Sequence, residues 1–303
     1  MKFQLYLRKK HVVLSLLAVL GAAGFISFEN FTSEAAAETG SPDGSSAPYI
    51  VQKHIEQTNG GSGVWELNSV VPIASTKAGD TLWVVATIPN DLNGSGTLPG
   101  PISVVDCIAS KFKNGDCEGS EDTFNQLGSD EVDNPLGEQS IAQFAATNIK
   151  AGVRYVVVHW DYDNYKGVLA VEIGNVKSSS VVAHSGSIQN NPPNTDTNGL
   201  SSGNMTVPKA DTPALLLAVS MDTYGGYSDT GGDDSRGPYY GSSSEFTGIT
   251  LMWNWSPGEK CNGGTCDQAA FESRLITGNG IYSGDFTAYT TAGQYITVSA
   301  IFQ

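Results

Sequence analysis

The chain has 303 residues, 40% of them hydrophobic, and a formal net charge of −15, so it can bury one large core or two smaller ones. Only 16% of its residues are charged, and the abundance of Gly, Ser, Thr and Asn favours many short strands over long salt-bridged helices. An acidic surface repels nucleic acid and anionic lipid headgroups, which argues against both as partners and leaves carbohydrate, surface proteins and divalent cations open.

Residues 1–37 read as a secretory signal peptide. Arg8, Lys9, Lys10 and His11 precede an apolar run over residues 12–28, and Ala35, Ala36 and Ala37 supply small side chains for cleavage before Glu38. The alternative is an uncleaved anchor, for which the run is slightly short of the ~20 residues that a spanning helix needs. Cleavage would remove Lys2, Arg8, Lys9 and Lys10 against Glu29 and Glu34, leaving the rest more acidic still. The expectation is a secreted or cell-surface protein with no membrane association after cleavage. Residues 38–48, ETGSPDGSSAP, read as a flexible leader, and residues 49–303 as the folded β-sandwich domain.

Strands are predicted at 49–56 and 64–73, the second near a sheet edge because of Pro72. Lys77, Ala78, Gly79 and Asp80 turn into TLWVVATIP, where Leu82, Val84, Ala86 and Ile88 share one face. Similar turns precede VRYVVVHW, TPALLLAVSM and QYITVSAIF. Asp-led and Ala-Gly-led copies alternate, which predicts two related halves, 49–176 and 181–303; the plainer reading is that such turns are common before strands.

The stretch 153–176 is the most strand-like of all. Residues 153–160 are β-branched and aromatic, 168–173 almost wholly apolar, and turn formers lie between them. An antiparallel hairpin buried inside a sheet-on-sheet sandwich is predicted. Short helices are predicted at 140–147 and 267–275. Long loops at 90–101, 106–138, 189–205, 222–244 and 255–268 are where function is expected.

The succession AGDTLWVVATI, IAQFAATNIKAGVRYVVV, GVLAVEIGNV, KADTPALLLAVSM and TAGQYITVSAIF resembles a β-sandwich module of secreted bacterial surface proteins and phage proteins, over most of residues 75–303. The resemblance implies a jelly-roll-like or immunoglobulin-like sandwich and carries no catalytic residues. The expected fold class is therefore all-β, a two-sheet antiparallel sandwich. Where that module has a short hairpin, this chain has a Cys-containing insertion at 106–138.

The four cysteines form two local pairs, Cys107 with Cys117 and Cys261 with Cys266, each enclosing turn-rich sequence. In an exported chain these read as loop-stapling disulfides, and neither pair has the spacing usual in a zinc site. Glu172 lies within an apolar strand, where a carboxylate is either a structural acceptor or an acid of raised pKa. Asp161 and Asp163 resemble half of a calcium loop, but turn capping is the simpler reading.

The segment 222–244 carries the sharpest signal. Tyr224, Tyr227, Asp229, Asp233, Asp234, Tyr239 and Tyr240 stand on a Gly and Ser background, a composition that presents rigid rings amid adaptable hydrogen bonding. A solvated loop is the plain alternative. Trp253 and Trp255 would extend such a platform. No metal site is predicted and no cofactor is implied, with calcium left open. Nucleophile motifs are absent and the four His are scattered. The predicted function is a secreted binding or adhesion module, with carbohydrate or a surface protein as ligand. The alternatives are a carbohydrate-active enzyme on a jelly-roll scaffold, needing two carboxylates ~5–10 Å apart in a groove, and a structural subunit of a surface assembly.

Overall fold

The computed structural model describes residues 47–58, 67–88, 101–128, 140–160, 166–177, 181–190, 200–207, 213–223, 239–241, 250–254, 268–287 and 294–303. All of these belong to one compact unit, Ala35–Gln303. The expected signal peptide and nearly all of the leader lie outside the described residues. Among the described residues, no helix is long and apolar enough to cross a membrane.

The chain is all-β. Its first half carries β1 (Tyr49–Thr58), β2 (Asn68–Pro72), β3 (Thr81–Ile88), β4 (Pro101–Ile108), β5 (Phe112–Lys113), β6 (Asp116–Cys117), β7 (Asn125–Gln126), β8 (Ser140–Thr147), β9 (Val153–Trp160) and β10 (Lys166–Gly174). The second carries β11 (Val181–Asn190), β12 (Leu200–Ser201), β13 (Met205–Val207), β14 (Ala214–Thr223), β15 (Tyr239–Gly241), β16 (Thr250–Asn254), β17 (Gln268–Ile276), β18 (Gly280–Tyr282), β19 (Asp285–Thr287) and β20 (Gln294–Phe302).

One strand order occurs twice. The first main sheet runs β1, β10, β3, β8, β7, and the second runs β11, β20, β14, β17, β16. In both, the first long strand lies beside the last, and the Asp-led strand (β3 or β14) is in the middle. A smaller sheet accompanies each main sheet. In the first half it is β2, β9, β4, and in the second it is split into β12, β19, β15 and β13, β18. The main path alternates between the two sheets of a half. That alternation is jelly-roll order; an immunoglobulin-type sandwich would keep early neighbours together in one sheet.

Continuously apolar strands follow from burial on both faces. Every residue of β3 and of β10 is buried. Leu82, Val84, Ala86, Val168 and Ala170 face one core with Val156, Val158 and Trp160 of β9. Trp83, Val85, Leu169, Val171 and Ile173 face a second core, shared with Leu217, Val219, Phe271, Ile296, Val298 and Phe302 of the other half. A third core lies outside the second main sheet, around Leu216, Ala218, Phe286 and Ile301. The architecture is two sandwiches packed through their main sheets.

The central core is also joined by polar and aromatic contacts. The Trp83 ring lies 6.4 Å from both Phe271 and Phe302. Buried Gln143 accepts a hydrogen bond from Trp83 Nε1 (3.2 Å) and donates to the carbonyls of Ser185 (3.4 Å) and Ser299 (3.3 Å), so one side chain ties the first main sheet to the second.

Three expectations are corrected. The arms 153–160 and 168–173 do not pair: β9 pairs with β2 and β4, whereas β10 pairs with β1 and β3. They face each other across a core, and an apolar strand has the same sequence whether its partner lies beside it or above it. The segments predicted as short helices are β8 and β17, because a short apolar run does not distinguish helix from strand and central sheet positions decided the matter. Finally, the strands opening on Ala-Gly are not equivalent: β20 occupies the place of β10, while β9 belongs to the smaller sheet. Both Ala-Gly turns within the described residues do require glycine, with φ of 91° at Gly79 and 90° at Gly152. Pro72 lies on the edge strand β2, as its missing N–H demands.

Candidate functional site

Described residues of the Cys-containing insertion pack on the outward face of the first small sheet. Cys107 on β4 is bonded to Cys117 on β6, with an S–S distance of 2.11 Å. Between them β5 and β6 form a hairpin through Asn114 and Gly115, whose positive φ values of 55° and 79° are what an Asn-Gly two-residue turn supplies. Phe112 stacks on Tyr155 of β9 with centroids 4.0 Å apart. Non-reducing peptide mapping is expected to link Cys107 to Cys117. Replacing both by Ala is expected to cost about 2–3 kcal/mol, the loop-closure value for a separation of 10 residues.

Beside this staple, register brings three polar side chains into one row. His159 of β9 lies opposite Asn68 of β2 and Ser103 of β4. His159 Nε2 is 2.8 Å from Asp116 Oδ1, and His159 Nδ1 is 2.9 Å from Ser103 Oγ. Burial pushes the Asp116 carboxyl up, but hydrogen bonds from His159, the Cys117 amide and Asn68, together with the charge of His159, outweigh it and hold it below the ordinary value. An ionised carboxylate only accepts, so Nε2 carries the proton, and in the neutral ring Nδ1 is left to accept from the Ser103 hydroxyl. The side chains of His159 and Asp116 are 26% and 45% exposed, so the row meets solvent.

Two pairs of carboxyl groups lie near the turns at the end of this sandwich. Asp106 of β4 is fully buried, and its Oδ1 accepts from Ser120 Oγ (3.0 Å) and the amides of Glu121 (3.0 Å) and Asp122 (2.9 Å). Asp122 is pushed up to about 6, first by burial and then by its hydrogen bond with Asp106 and the charge of that group; the Lys150 amide opposes the shift. Glu172 accepts from the Lys77 amide at 2.8 Å and from Gln52 Nε2. Its neighbour Asp80 is also pushed up to about 6, first by burial and then by Glu172. Asp106, Asp122 and Glu172 bind the chain's own backbone. Glu172 is therefore a structural acceptor.

In the second half, Glu272 of β17 is fully buried, and neither carboxyl oxygen has a hydrogen-bond partner at normal distance. It lies in register with Ala218, which lies in register with Ser299. Burial pushes its carboxyl up to about 9, with the Asp285 charge adding to the shift and the Asp285 amide opposing it. A carboxyl of this kind is neutral at pH 7.

The expected ligand residues Tyr224, Tyr227, Asp229, Asp233 and Asp234 lie outside the described residues, as do Cys261, Cys266, Asp161, Asp163 and Trp255. Tyr239 and Tyr240 are on β15, whose backbone pairs Tyr239 with Thr287 of β19. Among the described residues no group of three or more His, Cys, Asp or Glu could hold a metal ion. Reading the sequence missed the row of Ser103, Asp116 and His159, because the chain brings it together from three separate elements with no characteristic spacing. In comparisons with known proteins, the chain matches no family model, no curated protein and no solved structure.

Proposed function

We propose that this protein is a secreted or surface-exposed binding module that engages a carbohydrate or surface-protein ligand through its loops. The observation that carries this reading is the burial of β3 and β10 on both faces, which makes the main sheets scaffold and leaves recognition to the segments that join them. The insertion between β4 and β7 supports it. A disulfide, a ring stack and the contact between His159 and Asp116 hold this insertion on the small sheet, and a surface fixed before binding loses little entropy on contact. The Tyr- and Asp-rich segment 222–244 runs from the end of β14 past β15 and supplies the amphipathic rings.

A glycan array probed with the secreted protein, with and without a calcium chelator, tests the reading. A defined subset of glycans is expected to bind. Replacing Tyr239 and Tyr240 by Ala is expected to weaken that binding by about 1–3 kcal/mol per anchoring ring without lowering the melting temperature. Binding unchanged in the double variant would remove segment 222–244 from the site.

A further inference from the structure

The geometry points to an activated serine on the stapled face: Ser103 as nucleophile, His159 as its general base and Asp116 as the group that orients the ring, acting on an acyl ester. This goes beyond the binding reading and does not rest on it.

Three observations carry the inference. First, the chain of contacts is continuous, with Ser103 Oγ 2.9 Å from one ring nitrogen and Asp116 Oδ1 2.8 Å from the other, both within hydrogen-bond reach for proton transfer. Second, the roles are distinguishable. Asp116 accepts a hydrogen bond from Nε2–H, so the basic lone pair is on Nδ1 and is aimed at the hydroxyl. Hydrolytic triads are recognised by roles and geometry rather than sequence order, and here the two ring nitrogens exchange their usual places. Third, the row is held rigidly yet open. Ser103 and His159 are neighbours on paired strands, Asp116 is fixed by the Cys117 amide at 2.7 Å and by the adjacent disulfide, and His159 is partly exposed.

The step balances without a co-reactant other than water. Ser103 Oγ bonds to the ester carbonyl carbon while its proton passes to His159 Nδ1. The tetrahedral adduct then breaks its bond to the alcohol oxygen, which leaves with that proton. Water repeats the sequence on the acyl-serine and releases the carboxylic acid, restoring Ser103. Throughout, Asp116 stays ionised and stabilises the imidazolium.

The test is labelling of the secreted protein with a fluorophosphonate, which forms an Oγ–P bond, expels fluoride and transfers the proton to His159. A single adduct on Ser103 is expected by peptide mass mapping. Ser103→Ala should abolish it, and His159→Gln should slow it by about 10²–10⁴-fold with an unchanged melting temperature. If His159→Gln fails to fold, Asp116→Asn still decides, because loss of the carboxylate that orients the ring must also slow labelling of Ser103. No adduct on Ser103, or a folded His159→Gln or Asp116→Asn variant that labels as fast as the parent, would overturn the assignment.

Discussion

Between pH 6.5 and 9 the melting temperature of this protein is expected to fall, and Glu272→Gln is expected to remove most of that fall. From its ordinary value of 4.5 up to about 9, the folded chain keeps a proton on Glu272 that the unfolded chain has lost. Each rise in pH through that window therefore costs stability, and the contribution levels off below 4.5 and above 9. One unit of pKa difference corresponds to about 1.4 kcal/mol, and a chain of this size loses about 1.5–2 °C for each kcal/mol, so the slope is large enough to measure. Asp80 and Asp122 act in the same direction between 3.8 and about 6. His54, held below its ordinary 6.5 by burial, acts against them, because the unfolded chain gains its proton first as pH falls. Above 6.5 those three groups have completed their change, and the fall is assigned to Glu272. At pH 8 the Gln variant should melt higher than the parent, and at pH 4.5 the two should nearly coincide. Equal slopes would show that Glu272 ionises without penalty.

The second large effect concerns separating the halves. Residues 38–177 expressed alone would expose Trp83, Val85, Leu169, Val171 and Ile173, all buried against the second half in the whole chain. Each such side chain is worth about 1.5–3 kcal/mol when buried, so together they equal a typical total stability of about 5–15 kcal/mol. The fragment is expected to lack a cooperative melting transition and to bind hydrophobic dyes, and addition of residues 178–303 is expected to restore the transition. A fragment that melts sharply by itself would make the first sandwich an independent domain.

How much of this was legible in the sequence depends on the range of the interaction concerned. The strands β3, β9, β10, β14 and β20 were readable because β-branched and aromatic runs are set by local chemistry, and Leu82, Val84, Ala86 and Ile88 do share one core face. The pairing of those strands was not readable. Asp161, Asn164 and Gly167 look like a hairpin turn, yet the two flanking strands belong to different sheets, since turn formers serve equally to cross from sheet to sheet. SIAQFAAT gave no helix because Ile141 and Ala145 meet one core while Ala142, Phe144 and Ala146 meet another, a two-sided burial that composition does not encode. The staple between Cys107 and Cys117 was visible in local spacing. By contrast, Ser103 and His159 meet only through strand register, which a sequence fixes through the whole sheet rather than at any one residue, and Asp116 reaches His159 from the separate hairpin of β5 and β6.

The central claim, that two sandwiches share one core through their main sheets, is tested most directly by a double-mutant cycle between Trp83 and Phe302. Their rings are 6.4 Å apart with planes at 69°, an edge-to-face contact of the kind worth about 0.5–1.5 kcal/mol beyond the area it buries. Chemical unfolding of Trp83→Leu, Phe302→Leu and the double variant is expected to give a coupling of about 1 kcal/mol. Additive effects, agreeing within about 0.3 kcal/mol, would contradict the contact and with it the shared core.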